Sequence, residues 1–340
     1  MYWEDIIGNT ETVAMLKALV HSGKLPHALL FAGPAGVGKL RCAQVMAAAA
    51  LCLSEHDRPC GVCPSCRQFS YNNHPDFFLL QPDGTSIKID QMRELQGKLA
   101  MAAGLSSRRI CIINDAEYMT EEAANSLLKI LEEPPGQVSF ILVAALPDKL
   151  PRTVLSRCQR FRFQPLPYTQ LEKALITQGV DPGRAGLAAR LSGCRFGLAL
   201  AFCQPDGLAE REQALDIVEN LATADMSWLW TAAQQLAQDE TTDTLAGLQF
   251  LLCLFRDLTV LVAAGDRQLL LNIDIIDRLQ ALAHGWPERQ AAAACQEVRL
   301  AVQALEGNAN TRLTWEALLI RLTDLAKEGQ KRGNGSRRAV

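Results

Sequence analysis

Hydrophobic positions in the first half of the chain fall into short unbroken runs separated by amphipathic stretches. His27–Ala32, Phe77–Leu80, Arg109–Asp115 and Val138–Ala144 each carry such a run. Apolar runs of this length suit strands buried on both faces. Between them, 41–50 is rich in helix formers, 89–100 places apolar residues at 89, 92, 95 and 99, and 119–133 repeats the helical spacing. Alternation of strand and helix predicts a mostly parallel α/β domain over residues 1–165. From Tyr168 onward no strand pattern remains, and Leu/Ala/Gln-rich helical stretches run to about Lys327. Gly193, Gly197, Pro205 and Gly207 punctuate the first part, predicting a small helical lid over 166–208 and a separate all-α domain over 209–328. Residues 329–340 hold Lys331, Arg332, Arg337 and Arg338 among glycines, a basic tail expected to be disordered.

Composition narrows the class without choosing within it. The chain has 340 residues, 49% hydrophobic and 21% charged, with a formal net charge of −3. That balance argues against indiscriminate coating of nucleic acid, though not against local contact. No uninterrupted apolar run reaches the roughly 18 residues of a membrane span. Met1-Tyr2-Trp3-Glu4-Asp5 lacks a basic n-region and apolar core. The expectation is a cytoplasmic protein with no membrane partner.

The first candidate chemistry follows the first strand. Gly33-Pro34-Ala35-Gly36-Val37-Gly38-Lys39-Leu40 is a phosphate-binding loop complete except at its last position. Its glycines let successive backbone N–H groups, Val37 among them, curl around phosphate oxygens, and Lys39 adds a point charge. The following helix contributes unpaired donors and the positive end of its dipole. A Ser or Thr hydroxyl would hold Mg²⁺ at position 40, where Leu40 stands. Asp115 closes a later strand, where a carboxylate can hold Mg²⁺ through water; the alternative is a cap for the next helix. The residue after it is Ala116, where a catalytic Glu is common. Glu117 is one place further on, and an extended backbone would send it to the opposite face. ATP or ADP binding stays open, and hydrolysis is not expected.

The second candidate is a metal site. Of eleven cysteines, Cys52, Cys60, Cys63 and Cys66 crowd into fifteen residues, with Pro59, Gly61 and Pro64 to turn the chain. Four thiolates suit tetrahedral Zn²⁺ with no open position, hence a structural role. An iron–sulfur cluster and fortuitous crowding are the alternatives. His56 and His74 are each able to replace one thiolate, or to serve as a loop residue and a turn residue. The other cysteines are scattered in apolar surroundings, where a reduced thiol packs as a small hydrophobe.

Four segments then place the chain in a family. They are Ala124-Asn125-Ser126-Leu127-Leu128-Lys129-Ile130-Leu131-Glu132-Glu133-Pro134-Pro135, the Ser156-Arg157-Cys158 segment that follows Leu150-Pro151-Arg152-Thr153-Val154-Leu155, the cysteine knot, and Ile87–Leu95. Together they resemble the bacterial clamp-loader subunits of the AAA+ class, the first two being specific, and they span most of residues 1–165. The resemblance implies a P-loop NTPase module with a zinc-knot insertion, a helical lid, and a C-terminal collar that joins a five-subunit ring. It implies gamma/tau ATPase and delta subunits as partners, with a sliding clamp and primed DNA reached through the complex. It implies that Arg157 is an arginine given in trans to a neighbour's ATP. Leu40, Ala116 and the apolar Val143-Ala144-Ala145-Leu146, which lacks a polar sensor residue, point to a member that does not hydrolyse. Gly193-Cys194-Arg195-Phe196-Gly197 shows no clear sensor arginine, and Arg195 receives no role. Two rival readings are an active AAA+ ATPase and a zinc-knot DNA-binding protein; against the second, the knot offers little beyond Arg58, Arg67 and Phe69.

Overall fold

In the computed structural model, which describes residues 1–100, 104–238, 244–307 and 309–336, all the strand runs join one parallel sheet. The described chain divides into two units, 1–177 with 193–198, and 178–192 with the residues from 199 onward. The expected lid, 166–208, is thereby shared between the two.

In the first unit, α1 (Thr10–His21) precedes β1 (Ala28–Ala32), which feeds α2 (Lys39–Leu51). Helix α3 (Pro64–Ser70) lies in the cysteine segment, followed by β2 (Phe77–Leu80) and α4 (Ile89–Ala100). Strand β3 (Arg109–Ile113), α5 (Glu121–Glu132) and β4 (Val138–Ala144) come next, then α6 (Arg152–Leu155), β5 (Gln159–Arg162) and α7 (Tyr168–Thr177). The strand order is β2-β3-β4-β1-β5, with Leu30 opposite Leu142 and Phe31 opposite Phe161. Alternate strand residues face opposite sides. Leu29 and Phe31 pack with Leu16, Val45 and Met46 on one face; Ala28 and Leu30 pack with Met92, Leu95 and Leu127 on the other. This order places β1 between β4 and β5, so the carboxyl ends of β1, β3 and β4 open onto one edge, where open α/β sheets hold ligands.

The second unit is helical throughout its described residues. It comprises α8 (Pro182–Leu191), the later part of α9 (Phe196–Phe202), α10 (Ala209–Asn220), α11 (Met226–Gln238), α12 (Thr244–Ala263), α13 (Ile276–Ala283), α14 (Glu288–Glu306) and α15 (Thr311–Ser336). Helix α12 packs against α10, α13 and α14, while α11 and α14 pack on α15. By length and a mean hydropathy of 1.8, α12 is apolar enough to cross a membrane, although Arg256 and Asp257 interrupt its apolar run. Asp257 is fully buried and accepts hydrogen bonds from the backbone N–H of Leu271 and of Asn272 at 3.0 and 2.8 Å. Asn272 in turn accepts from Arg211 Nε at 2.8 Å, and the buried guanidinium pairs with both oxygens of Asp274 at 2.8 and 2.6 Å. Where composition predicts a disordered tail from 329, α15 continues through Gly333 and Gly335 to Ser336. Glycine costs a helix only about 1 kcal/mol relative to alanine and does not forbid one. Residues 337–340, the end of that tail, lie outside the described residues.

Candidate functional site

The phosphate loop leaves β1 at the carboxyl edge and closes onto α2. Gly33 has φ 155, and a Cβ there would lie 2.1 Å from the carbonyl oxygen of Phe163, so this position takes glycine alone. Gly38, at φ 89, is the last residue before α2. Lys39 is buried, and its ammonium donates to the carbonyls of Gly33 and Pro34 at 2.6 and 2.7 Å. The lysine is thus folded back over its own loop. Burial pushes its pKa down, and the negative charges of Glu117 and Asp115 work against that shift. Leu40, the second residue of α2, packs as a partly buried hydrophobe against the core on one face of the sheet.

The β3 end differs from the sequence expectation at Glu117. Asp115 adopts a left-handed conformation (φ 51) and Ala116–Tyr118 forms a 3₁₀ turn, so the backbone is not extended there. Glu117 is consequently brought back and buried, close enough for its charge to act on both Lys39 and Asp115. Its Oε1 accepts the backbone N–H groups of Ala145 and Leu146 at 2.7 and 3.1 Å, while Oε2 is buried without a partner. Burial, reinforced by Glu117, raises the pKa of Asp115, and Lys39 opposes this. Asp115 caps no helix through its side chain: it accepts from Asn114 Nδ2 at 2.7 Å, and Thr120 caps α5 instead. Glu117 was hidden in the sequence because its place depends on one left-handed residue. The turn-prone Asn114-Asp115 pair was the available signal.

Two arginines complete the polar surroundings. The segment bearing Arg195 leans on the phosphate loop: Gly197 N–H donates to the Gly36 carbonyl at 3.0 Å, and a Cβ at Gly36 would lie 3.4 Å from that of Arg195. Arg157 stands apart from the loop cluster, between α6 and the edge strand β5. Its Nη2 reaches Glu132 Oε1 at 2.6 Å and its Nη1 reaches the Thr153 carbonyl at 3.0 Å. Such an outward guanidinium is able to serve phosphate bound by another molecule.

The four cysteine sulfurs lie within 4.8 Å of one another. Cys52 to Cys63 and Cys60 to Cys66 are both 4.0 Å apart. Tetrahedral Zn–S bonds of about 2.3 Å imply sulfur separations of about 3.8 Å, so the donor set fits Zn²⁺ once the sulfurs draw slightly together. Backbone N–H groups of Val62 and Cys63 pull the Cys60 thiol down to about 6, whereas burial pushes the Cys52 and Cys66 thiols up. Neither histidine joins this set. His56 is exposed, while buried His74 engages Ser65 Oγ through Nε2 at 2.9 Å and accepts the Asp76 N–H at Nδ1, 3.0 Å. The knot touches the N-terminus, where the Trp3 indole N–H donates to the Arg58 carbonyl at 2.9 Å.

The family model described as "DNA polymerase III, delta subunit" matches residues 8–167. DNA polymerase III subunit delta' of Bacillus subtilis (strain 168) is 32% identical over 308 residues, covering 90% of this chain and 93% of that protein. The delta' subunit of Pseudomonas aeruginosa is 34% identical over 202 residues, 57% of this chain and 60% of its own. The tau subunit of Bacillus subtilis is 35% identical over 166 residues, 48% of this chain but 29% of its own.

Proposed function

The chain belongs to the delta-prime family of DNA polymerase III clamp-loader subunits, and from that premise we propose that it serves as a non-hydrolysing AAA+ member, giving Arg157 to a neighbour's ATP. The observation that carries this reading is the pairing of two sites in opposite condition. The chain's own loop has Leu40, an apolar side chain packed against the core, where a metal-holding hydroxyl is required, and Lys39 bonded to loop carbonyls. Arg157, by contrast, is outward and charged, with a planar guanidinium suited to phosphate oxygens.

In this reading Gly33, Gly36, Val37, Gly38 and Lys39 are able to cradle ATP or ADP once Lys39 releases the carbonyls of Gly33 and Pro34. Asp115 and Glu117 face that lysine and balance its charge. Glu117 also holds the N–H groups of Ala145 and Leu146 at the end of β4, which fixes the segment where hydrolysing members carry a polar sensor. Cys52, Cys60, Cys63 and Cys66 would hold a structural Zn²⁺, which supplies cross-linking and no reaction chemistry. The helical second unit acts as the collar. The partners are gamma/tau and delta subunits, and through them a sliding clamp and primed DNA in the cytoplasm.

The test is ATP turnover in a complex rebuilt with its partner subunits, clamp and primed DNA. Arginines given in trans are worth on the order of 10³–10⁵ in rate at the site they serve. Arg157→Ala should therefore silence one neighbouring site while the complex still assembles. Turnover and clamp loading equal to wild type would contradict the role.

A further inference from the structure

We propose that Glu132 is the positioning residue that aims Arg157, holding the guanidinium ready before a neighbour's nucleotide arrives. This rests on the reading of Arg157 as the donated arginine. Arg157 is a long side chain on the short link between α6 and β5, where a free arginine would sample many rotamers. Here it is held at two close points, with a longer contact from Nη1 to Ser156 Oγ at 3.5 Å. The Thr153 carbonyl, one turn earlier, takes Nη1 at 3.0 Å, and Glu132 takes Nη2 at 2.6 Å from a different element. A guanidinium has five N–H donors, so Nε–H and one hydrogen on Nη2 remain for phosphate oxygens once Nη1 has given its two to Thr153 and, more loosely at 3.5 Å, to Ser156 Oγ.

Glu132 is a firm anchor. It is the last residue of α5, whose Leu127, Ile130 and Leu131 are buried against the sheet and whose start is capped by Thr120. Its position also makes little sense for the helix itself. Negative charge at a helix C-terminus is disfavoured by the helix dipole, and Glu132 is followed by a second acid, Glu133. Pairing with Arg157 gives the first of these a purpose. Both side chains are partly exposed, 53% for Glu132 and 37% for Arg157. An ion pair this wet is too weak to withhold the arginine from a bound triphosphate. It is strong enough to select a direction, and that distinguishes aiming from locking.

The experiment measures kcat and KM for ATP in the rebuilt complex carrying wild type, Glu132→Ala, Glu132→Gln, Arg157→Ala or the Glu132→Ala/Arg157→Ala double variant. Co-purification with the partners checks assembly. Leaving one rotamer-rich side chain unordered is worth about two- to ten-fold, so Glu132→Ala should lower by that factor the share of kcat that Arg157→Ala removes, with KM little changed. Glu132→Gln keeps an acceptor oxygen for Nη2 and should restore most of the turnover. In the Arg157→Ala background Glu132→Ala should cost nothing further, because nothing is left to aim. Wild-type or higher turnover in Glu132→Ala, or a full additional loss in the double variant, overturns the proposal. If Arg157→Ala itself leaves turnover unchanged, the reading beneath it falls and takes this one with it; loss in Arg157→Ala with none in Glu132→Ala removes only the positioning role.

Discussion

Asp76 accepts backbone N–H groups from Gly104, Leu105 and Ser106 at 2.7, 2.8 and 2.7 Å, at a position only 1% exposed. Burial alone would raise its pKa, but these three bonds, with help from His74, outweigh it and hold the carboxyl below its ordinary value. A depressed carboxylate contributes stability that is present above the unfolded value, about 3.9, and lost as pH falls through the lower folded value. Asp76→Asn should therefore cost about 2–3 kcal/mol at pH 7, the scale of hydrogen bonds to a charged group. That difference from wild type should shrink below about pH 4. Denaturant melts at the two pH values would show it, and an equal cost at both would contradict the charge argument. At this scale the sequence was unevenly legible. Lys39 and the loop glycines announce themselves by spacing, since the chemistry fixes the interval between them. Glu117 does not, because its burial follows from the left-handed turn at Asp115 and from N–H groups some 28 residues away.

Among the elements, those buried on both faces were the readable ones. Strand β1 is an uninterrupted apolar run, β3 and β4 carry apolar runs broken only by Arg109 and Ser139, and α4 and α5 show one clear apolar face. Strand β5 carries no such signal, since it lies at the sheet edge and exposes Gln159, Arg160 and Arg162 around a single buried Phe161. Helix α3 was masked by the cysteines, though Cys63 ahead of Pro64 is a start signal in retrospect: its sulfur accepts the Cys66 N–H at 3.4 Å. Cys52 caps the far end of α2, so the four sulfurs tie the end of one helix to the start of the next. Purified chain should carry about one zinc per molecule. Chelation, or Cys60→Ser, should expose residues 53–62 to protease and shift the fluorescence of Trp3, which bonds to the knot at Arg58. A metal-free chain with unchanged protease resistance would refute the structural role.

The whole molecule divides its labour between a sheet unit that carries the phosphate loop and Arg157 and a helical unit with its own buried polar centre. That centre, Arg211 with Asn272, Asp274 and Asp257, left no trace in the pattern because its members are spread over some sixty residues. It accounts for a charged pair inside the otherwise apolar α12. Domain limits were likewise only partly readable: glycines and prolines mark where the chain bends, not which side of a bend packs with the sheet, and 193–198 joins the sheet unit through the phosphate loop. The proposed role requires this chain's own nucleotide site to be silent while its neighbours work. A complex in which every partner's phosphate-loop lysine is replaced by alanine leaves this loop as the sole intact one. With clamp, primed DNA and saturating ATP, that complex should show no turnover above background. Sustained hydrolysis that disappears on Lys39→Ala would make this chain a motor in its own right and contradict the reading of Leu40.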